Sequence, residues 1–266
     1  MLERKIIFIL AIIIVMLIIL LFFFKRDNSH EESQTKNNGL EIITNQSIDF
    51  ENAVIDGDNV KSNDLSIPIQ HSSTKSINTK VDIDRSREGN KSLLFSLPPN
   101  DSRSEIRIID IPNNSTKFIG FSVFFPKDYK PPTDWNLFAQ WWQGSPASPP
   151  IAFEITPNSD EFKMRILTRH GQYQHNNITV QYNKTIEKDN WIDFMIEMRI
   201  DDSGGLNGIL NVWKNGKEIV KYNGPLGYPN LNNTTNFRLG LYRYPFINSS
   251  AKVYFDEIKI GDRLKK

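Results

Sequence analysis

The sequence predicts an all-β domain, a β-sandwich or jelly roll, behind an N-terminal transmembrane helix. Three observations predict it. Past residue 48 the chain runs in short apolar-alternating segments rich in Ile, Phe, Val and Trp. Gly, Pro, Asn and Asp punctuate those segments, as in Ser203-Gly204-Gly205 and Asn215-Gly216. No stretch after the first apolar run keeps a helical period. Many short strands with almost no helix bury their apolar faces by packing two sheets together. No fixed-period repeat is visible.

The elements follow in chain order. Arg4 and Lys5 precede an unbroken apolar run from Ile6 to Phe24, which Lys25 and Arg26 close. At ~1.5 Å per residue the run covers roughly 28 Å, close to the hydrocarbon thickness of a bilayer. It ends in Phe-Phe-Phe-Lys-Arg without a small-residue cleavage site, so residues 1–26 are expected to form a retained anchor rather than a signal peptide. Basic residues flank both ends and hardly decide orientation. A large C-terminal domain after a first span is expected outside the cell, on a single-pass membrane protein. Residues 27–46 are polar and poor in large apolar groups, and are expected to be a stalk. The remainder, 47–263, suits one all-β domain. Strands are expected at 92–97, 103–109, 118–125, 137–142, 150–155, 161–168, 192–200, 208–214, 236–243 and 252–260.

Composition narrows the partners. A formal net charge of +1 argues against nucleic acid. The absence of cysteine excludes disulfides, zinc–thiolate sites and cysteine nucleophiles. No Asp/Glu cluster has calcium-loop spacing; Asp82-Ile83-Asp84 and Asp201-Asp202 are read as turns.

Side chains alternate across a strand. Alternation groups Arg103, Glu105 and Arg107 on one face. It groups Phe138, Gln140 and Trp142 against Leu137, Ala139 and Trp141. It sets Arg238, Tyr242 and Tyr244, with Gly240 between them, against Phe237, Leu239 and Leu241. An ordinary solvated face carries Lys, Glu, Thr and Ser, whereas these carry planar donors and aromatics. Aromatic rings stack on the C–H faces of sugars, and amide and guanidinium groups pair with hydroxyls and carboxylates. Bidentate arginine pairing suits an acidic sugar. A structural ion-pair ladder beneath a second aromatic layer would use the same residues, and both readings stay open at this point.

The ordered motifs add a resemblance. Arg-Ser-Glu-Ile-Arg (103–107), Gln-Trp-Trp (140–142), Ser-Pro-Ala-Ser-Pro-Pro-Ile-Ala-Phe-Glu-Ile (145–155), Phe-Arg-Leu-Gly-Leu-Tyr-Arg (237–243) and Val-Tyr-Phe-Asp-Glu-Ile-Lys-Ile-Gly (253–261) come in that order. Together they resemble the heparin lyase I and glucuronan lyase group of polysaccharide lyases. More distantly they resemble the jelly-roll alginate lyases. The resemblance runs from about Phe50 to Gly261. It implies a concanavalin-like jelly roll that cleaves an acidic, uronic-acid-containing polysaccharide by β-elimination. That chemistry needs a neutraliser for the C6 carboxylate, a base for the C5 proton and an acid for the departing O4. The resemblance implies Gln140 and Arg103 as neutralisers and Tyr242 as the acid, or as acid and base together. It implies Glu105 as the carboxylate that holds Arg103 and Arg107; the strand faces themselves offer Glu105, Arg107, Trp142, Arg238 and Tyr244 as expected substrate contacts. No cofactor is required, although some members of the group carry a structural calcium.

One departure matters. In the group the Gln is followed by an apolar residue and then a histidine; here that place is taken by Trp142. Either Tyr242 works alone, or His170 or His175 supplies the missing ring. A tyrosine serves as base where cations favour its phenolate, and Arg238 and Arg243 are the candidates in sequence. The alternative is a non-catalytic carbohydrate-binding module on the same fold, with Trp142 as an added stacking platform. A surface adhesion or structural sandwich without a sugar site is a third possibility.

Overall fold

The computed structural model describes residues 40–71, 78–130, 133–156 and 163–265. The anchor expected over 1–26 and the first part of the stalk lie outside them. Among the described residues no helix is long and apolar enough to cross a membrane.

The strands are β1 (Glu41–Ile48), β2 (Val54–Asp56), β3 (Asn59–Ser62), β4 (Leu65–His71), β5 (Thr79–Asp82) and β6 (Ser92–Leu97). There follow β7 (Arg103–Pro112), β8 (Lys117–Phe124), β9 (Asn136–Trp142), β10 (Ile151–Ile155), β11 (Lys163–His170) and β12 (Asn177–Thr185). The last are β13 (Trp191–Arg199), β14 (Gly208–Lys214), β15 (Lys217–Gly224), β16 (Thr234–Arg243) and β17 (Ala251–Lys265). Nine form a front sheet in the order β12-β11-β10-β9-β16-β7-β4-β3-β2. Eight form a back sheet in the order β15-β14-β13-β8-β17-β6-β5, with β1 also paired to β17. Every named pairing is antiparallel, with consecutive strands joined by turns and others brought together by crossovers between the sheets.

The two inner faces make the core. Phe121, Phe194 and Phe255 of the back sheet meet Phe153 and Phe237 of the front sheet, with Phe121 and Phe237 ring centres 6.1 Å apart. Trp141 stacks on Phe237 at 4.8 Å. All are buried, and each such side chain contributes about 2 kcal/mol of transfer free energy.

Two expectations are corrected. Residues 41–46 do not belong to a stalk, because β1 runs through them and pairs with β17 from Ile48↔Ile258 to Glu41↔Lys265. The sheet thus extends past residue 263 as well. In β9 a bulge lies between the partners of Phe153 and Glu154, which are Ala139 and Leu137. The extra residue reverses the alternation beyond it. Phe138 therefore enters the core with Ala139 and Trp141, and Leu137 turns to the outer face with Tyr242.

Candidate functional site

The outer face of the front sheet carries the polar cluster. One row runs Leu167, Ala152, Gln140, Arg238, Arg107 across β11, β10, β9, β16 and β7. In the next, Tyr242 lies between Leu137 and Arg103. Between these rows Gly240 faces Glu105, and Glu105 faces Gln70 of β4. Gly240 is required there: its φ is +138°, and a Cβ would lie 2.3 Å from the Ser104 carbonyl oxygen and 2.6 Å from the Glu105 Cα. The glycine lets β16 and β7 close over Glu105.

Glu105 is wholly buried and organises the cluster. Gln140 donates its amide Nε2–H to Glu105 Oε1 at 2.6 Å, and Arg103 Nε lies 3.5 Å from Oε2. Burial pushes the Glu105 carboxyl up, against the opposing pull of Arg103, the Gln140 amide and Arg238. Arg103 in turn lays its guanidinium 3.7 Å from the centre of the Tyr242 ring. Trp135 packs edge-on to that ring, 4.9 Å between centres, and fixes its orientation. Arg238 is buried, donates Nε–H to Asn236 Oδ1 at 2.7 Å and sits 4.6 Å over the indole of Trp142. Burial lowers its guanidinium pKa, and the Glu105 charge opposes that. Trp142 donates its own N–H to the Ala147 carbonyl at 2.7 Å, so it ties the proline-rich loop down while presenting a face to Arg238.

Residues 57–259 match the family model described as polysaccharide lyase, and every member of this cluster lies inside that span. The chain belongs to that family. No curated protein sequence matches it. Among solved structures it is similar to the endo-β-1,4-glucuronan lyase of the fungus Trichoderma reesei. That similarity has 15% identity and a TM-score of 0.61, over 83% of this chain and 96% of that one. It is similar also to the family-7 alginate lyase A1-II′, at 14% identity and a TM-score of 0.52, over 70% and 84% of the two chains. A third is the Chlorella virus alginate lyase vAL-1, at 12% identity and 0.50, over 70% and 90%. These similarities carry the jelly-roll fold.

The polysaccharide lyase thus brings Arg103, Glu105, Gln140, Trp142, Arg238 and Tyr242 together, and separates others. Arg107 shares the row of Gln140, but its guanidinium is bound by Asp110, with Nε 2.9 Å from Oδ1, and not by Glu105. Arg243 is buried on the core side, donating to the carbonyls of Asp101 and Pro98 at 2.9 and 2.7 Å. The cation at Tyr242 is therefore Arg103, and neither Arg243 nor Arg238 takes that place. Tyr244 lies just past β16, well exposed, and its N–H donates to the Trp135 carbonyl at 3.3 Å.

The histidines stay away. His170 alternates with Leu167 and Arg169, so it sits on the other side of β11 from the Gln140 row. His175 is exposed in a single 3-10 turn, Tyr173–His175. His71 lies opposite Ser104, on the core side of β4, 3.4 Å from Asp58. Arg238 lies against one face of Trp142, the residue that stands in place of a histidine. Sequence reasoning missed Trp135, which lies outside every expected strand, and Asn236. Asn236 was findable, being two residues from Arg238 on one strand face.

The described residues hold no group of three or more His, Asp or Glu side chains fit for a metal. The Asp201 carboxylate accepts the N–H groups of Ser203 and Asn207, at 3.1 and 2.9 Å, and the Ser203 hydroxyl. The Asp82 carboxylate accepts the Asp84 N–H at 3.1 Å. Both act as turn acceptors.

Proposed function

We propose that this polysaccharide lyase cleaves a D-glucuronate- or D-mannuronate-containing polysaccharide by syn β-elimination, with Tyr242 as both base and acid. One observation carries the reading: Arg103 stacks on the Tyr242 ring while Gln140 and Arg238 stand in the adjoining row, and His71 and His170 project from the opposite face of their strands. The uronate carboxylate pairs with Gln140 and the neighbouring guanidinium groups, which draws electron density from C5. The Tyr242 phenolate takes the C5 proton, and the electron pair passes into the carboxylate as an enolate. The enolate then forms the C4=C5 double bond, the C4–O4 bond breaks, and Tyr242 returns the proton to O4. A single group at both steps requires H5 and O4 on one face of the sugar. D-glucuronate and D-mannuronate meet that condition; L-guluronate and L-iduronate do not. The scheme uses side chains alone and no cofactor.

The same proposal places the enzyme at the cell membrane, single-pass, held by residues 1–26 with its β-domain outside. The apolar run from Ile6 to Phe24 supports this. Removal of residues 1–26 should release the protein from membranes into the soluble fraction.

The test uses the full chain in detergent with glucuronan, polymannuronate, polyguluronate and heparin, following ultraviolet absorbance of the unsaturated uronate. Absorbance should rise with the first two, and Tyr242→Phe should reduce the rate at least ~100-fold. Turnover of polyguluronate alone would overturn the single-tyrosine scheme. Binding without turnover of any of them would favour a carbohydrate-binding module instead.

A further inference from the structure

We propose that Tyr244 and Phe246 form an aromatic platform, a distal subsite on which a sugar ring of the polysaccharide stacks beyond the reacting bond. The inference rests on the glycan reading of the neighbouring cluster and extends it to residues outside that cluster. Phe246 is 77% exposed and Tyr244 is 44% exposed, and no other aromatic side chain among the described residues is as open to solvent. Phe246 also has φ +74°, a left-handed conformation that a bulky side chain rarely holds. The segment around it is tied down on both sides. The Tyr244 N–H donates to the Trp135 carbonyl at 3.3 Å, the Asn100 N–H donates to the Ile247 carbonyl at 2.9 Å, and the Ile247 side chain is buried. The backbone thus holds Phe246 outward between two anchors. Such an outlier marks a candidate for function.

The platform is continuous with the cluster. Trp135 packs on Tyr242 and carries the carbonyl that fixes Tyr244, which follows Tyr242 by two residues. Two residues of extended chain advance ~6.8 Å, about the step to an adjacent sugar subsite. The Tyr244 and Phe246 rings lie 6.4 Å apart at 66°, so they present an angled pair of apolar surfaces, suited to the C–H face of a pyranose. A platform placed there contacts long chains and misses short ones.

The test compares the full chain with its Phe246→Ala, Tyr244→Ala and Phe246→Trp variants on glucuronan and on the shortest oligoglucuronate that is cleaved. Affinity electrophoresis in a glucuronan gel measures binding apart from turnover. Phe246→Ala should raise KM for the polymer about tenfold more than for the short oligomer, weaken gel retardation to match, and be rescued by Phe246→Trp. Equal effects at all lengths, or none, in an enzyme that cleaves glucuronan would overturn the platform and leave the lyase reading standing. Retardation lost in Phe246→Ala by a chain that binds without cleaving would support the platform and sink the elimination scheme. A wild-type chain that neither binds nor cleaves would sink both. A fall in oligomer size with unchanged glycan affinity would assign the patch to a second copy and overturn the proposal.

Discussion

At the scale of single residues the cluster depends on Glu105, a carboxyl that touches no substrate and positions groups that do. It holds the Gln140 amide at 2.6 Å and faces Arg103 at 3.5 Å. Glu105→Gln keeps an acceptor for Gln140 and removes the charge opposite Arg103. The rate should fall roughly tenfold to 100-fold, as one charge-assisted contact is worth about 1.5–3 kcal/mol. The pH profile separates this from mere structural damage. Burial raises the Glu105 carboxyl, so it takes up a proton above the usual carboxylate range, and activity should decline there as pH falls. Glu105→Gln should flatten that acid limb. Stability moves the other way. The folded state binds this proton more tightly than the unfolded one, so ionising Glu105 costs stability as pH rises from the unfolded pKa through the folded one. In Glu105→Gln, urea unfolding should lose that dependence. An unchanged acid limb would remove Glu105 from its positioning role.

At the scale of elements, the strands that the sequence marks are those with an apolar face or an apolar run of their own. β7 from Arg103 to Ile108 and β16 from Phe237 to Tyr242 keep the alternation, and their outer sets, Arg103, Glu105, Arg107 and Arg238, Tyr242, stand where it puts them. β9 misled because Leu137, Phe138 and Ala139 are all apolar, and a bulge among like residues leaves no mark in the pattern. β1, β12 and β15 escaped notice for another reason. They are edge or near-edge strands with many exposed polar residues, ordered by pairing with a neighbour and not by an apolar face of their own. The site was legible as a set of residue types, while the partner of each charge was not. Arg107 and Arg243 share strands with the cluster, yet Asp110 and two backbone carbonyls capture them. The β7–β16 junction gives the element-scale prediction. Gly240→Ala would set a Cβ 2.3 Å from the Ser104 carbonyl at a backbone angle hostile to alanine. The strands must part over Glu105, so thermal unfolding should show a loss of about 3 kcal/mol with activity falling in parallel. A variant as stable and active as the parent would mean that the closure is unnecessary.

At the scale of the whole molecule, the two sheets divide the work, and the back sheet offers a control for the front. Across its outer face Asp193 pairs in register with Ser122, and Ser122 with Asp256. Arg87 donates to both oxygens of Asp193 at 3.0 Å, and the Ser122 hydroxyl donates at 2.7 Å. Burial pushes the Asp193 carboxyl up, but these donors and the Arg87 charge outweigh it and hold the carboxyl below its ordinary range. Its contribution is therefore present above the unfolded aspartate pKa of ~3.9 and lost as pH falls through the lower folded value. Arg87→Met keeps the aliphatic stem and strands a half-buried carboxylate, which should cost about 2–3 kcal/mol near neutral pH. The gap to the parent should narrow as pH falls, because the folded variant's Asp193, without Arg87, takes up its proton at higher pH than the parent's. Because Arg87 binds Asp193 on the outer face of the back sheet while the Gln140 row lies on the front sheet beyond the aromatic core, KM for glucuronan should hold steady at temperatures where the variant stays folded. Denaturant melts from pH 3 to 7 beside KM measurements would check both halves. A shifted KM in folded Arg87→Met protein would show that the core transmits strain between the sheets, and would undo the assignment of substrate contact to the front sheet alone.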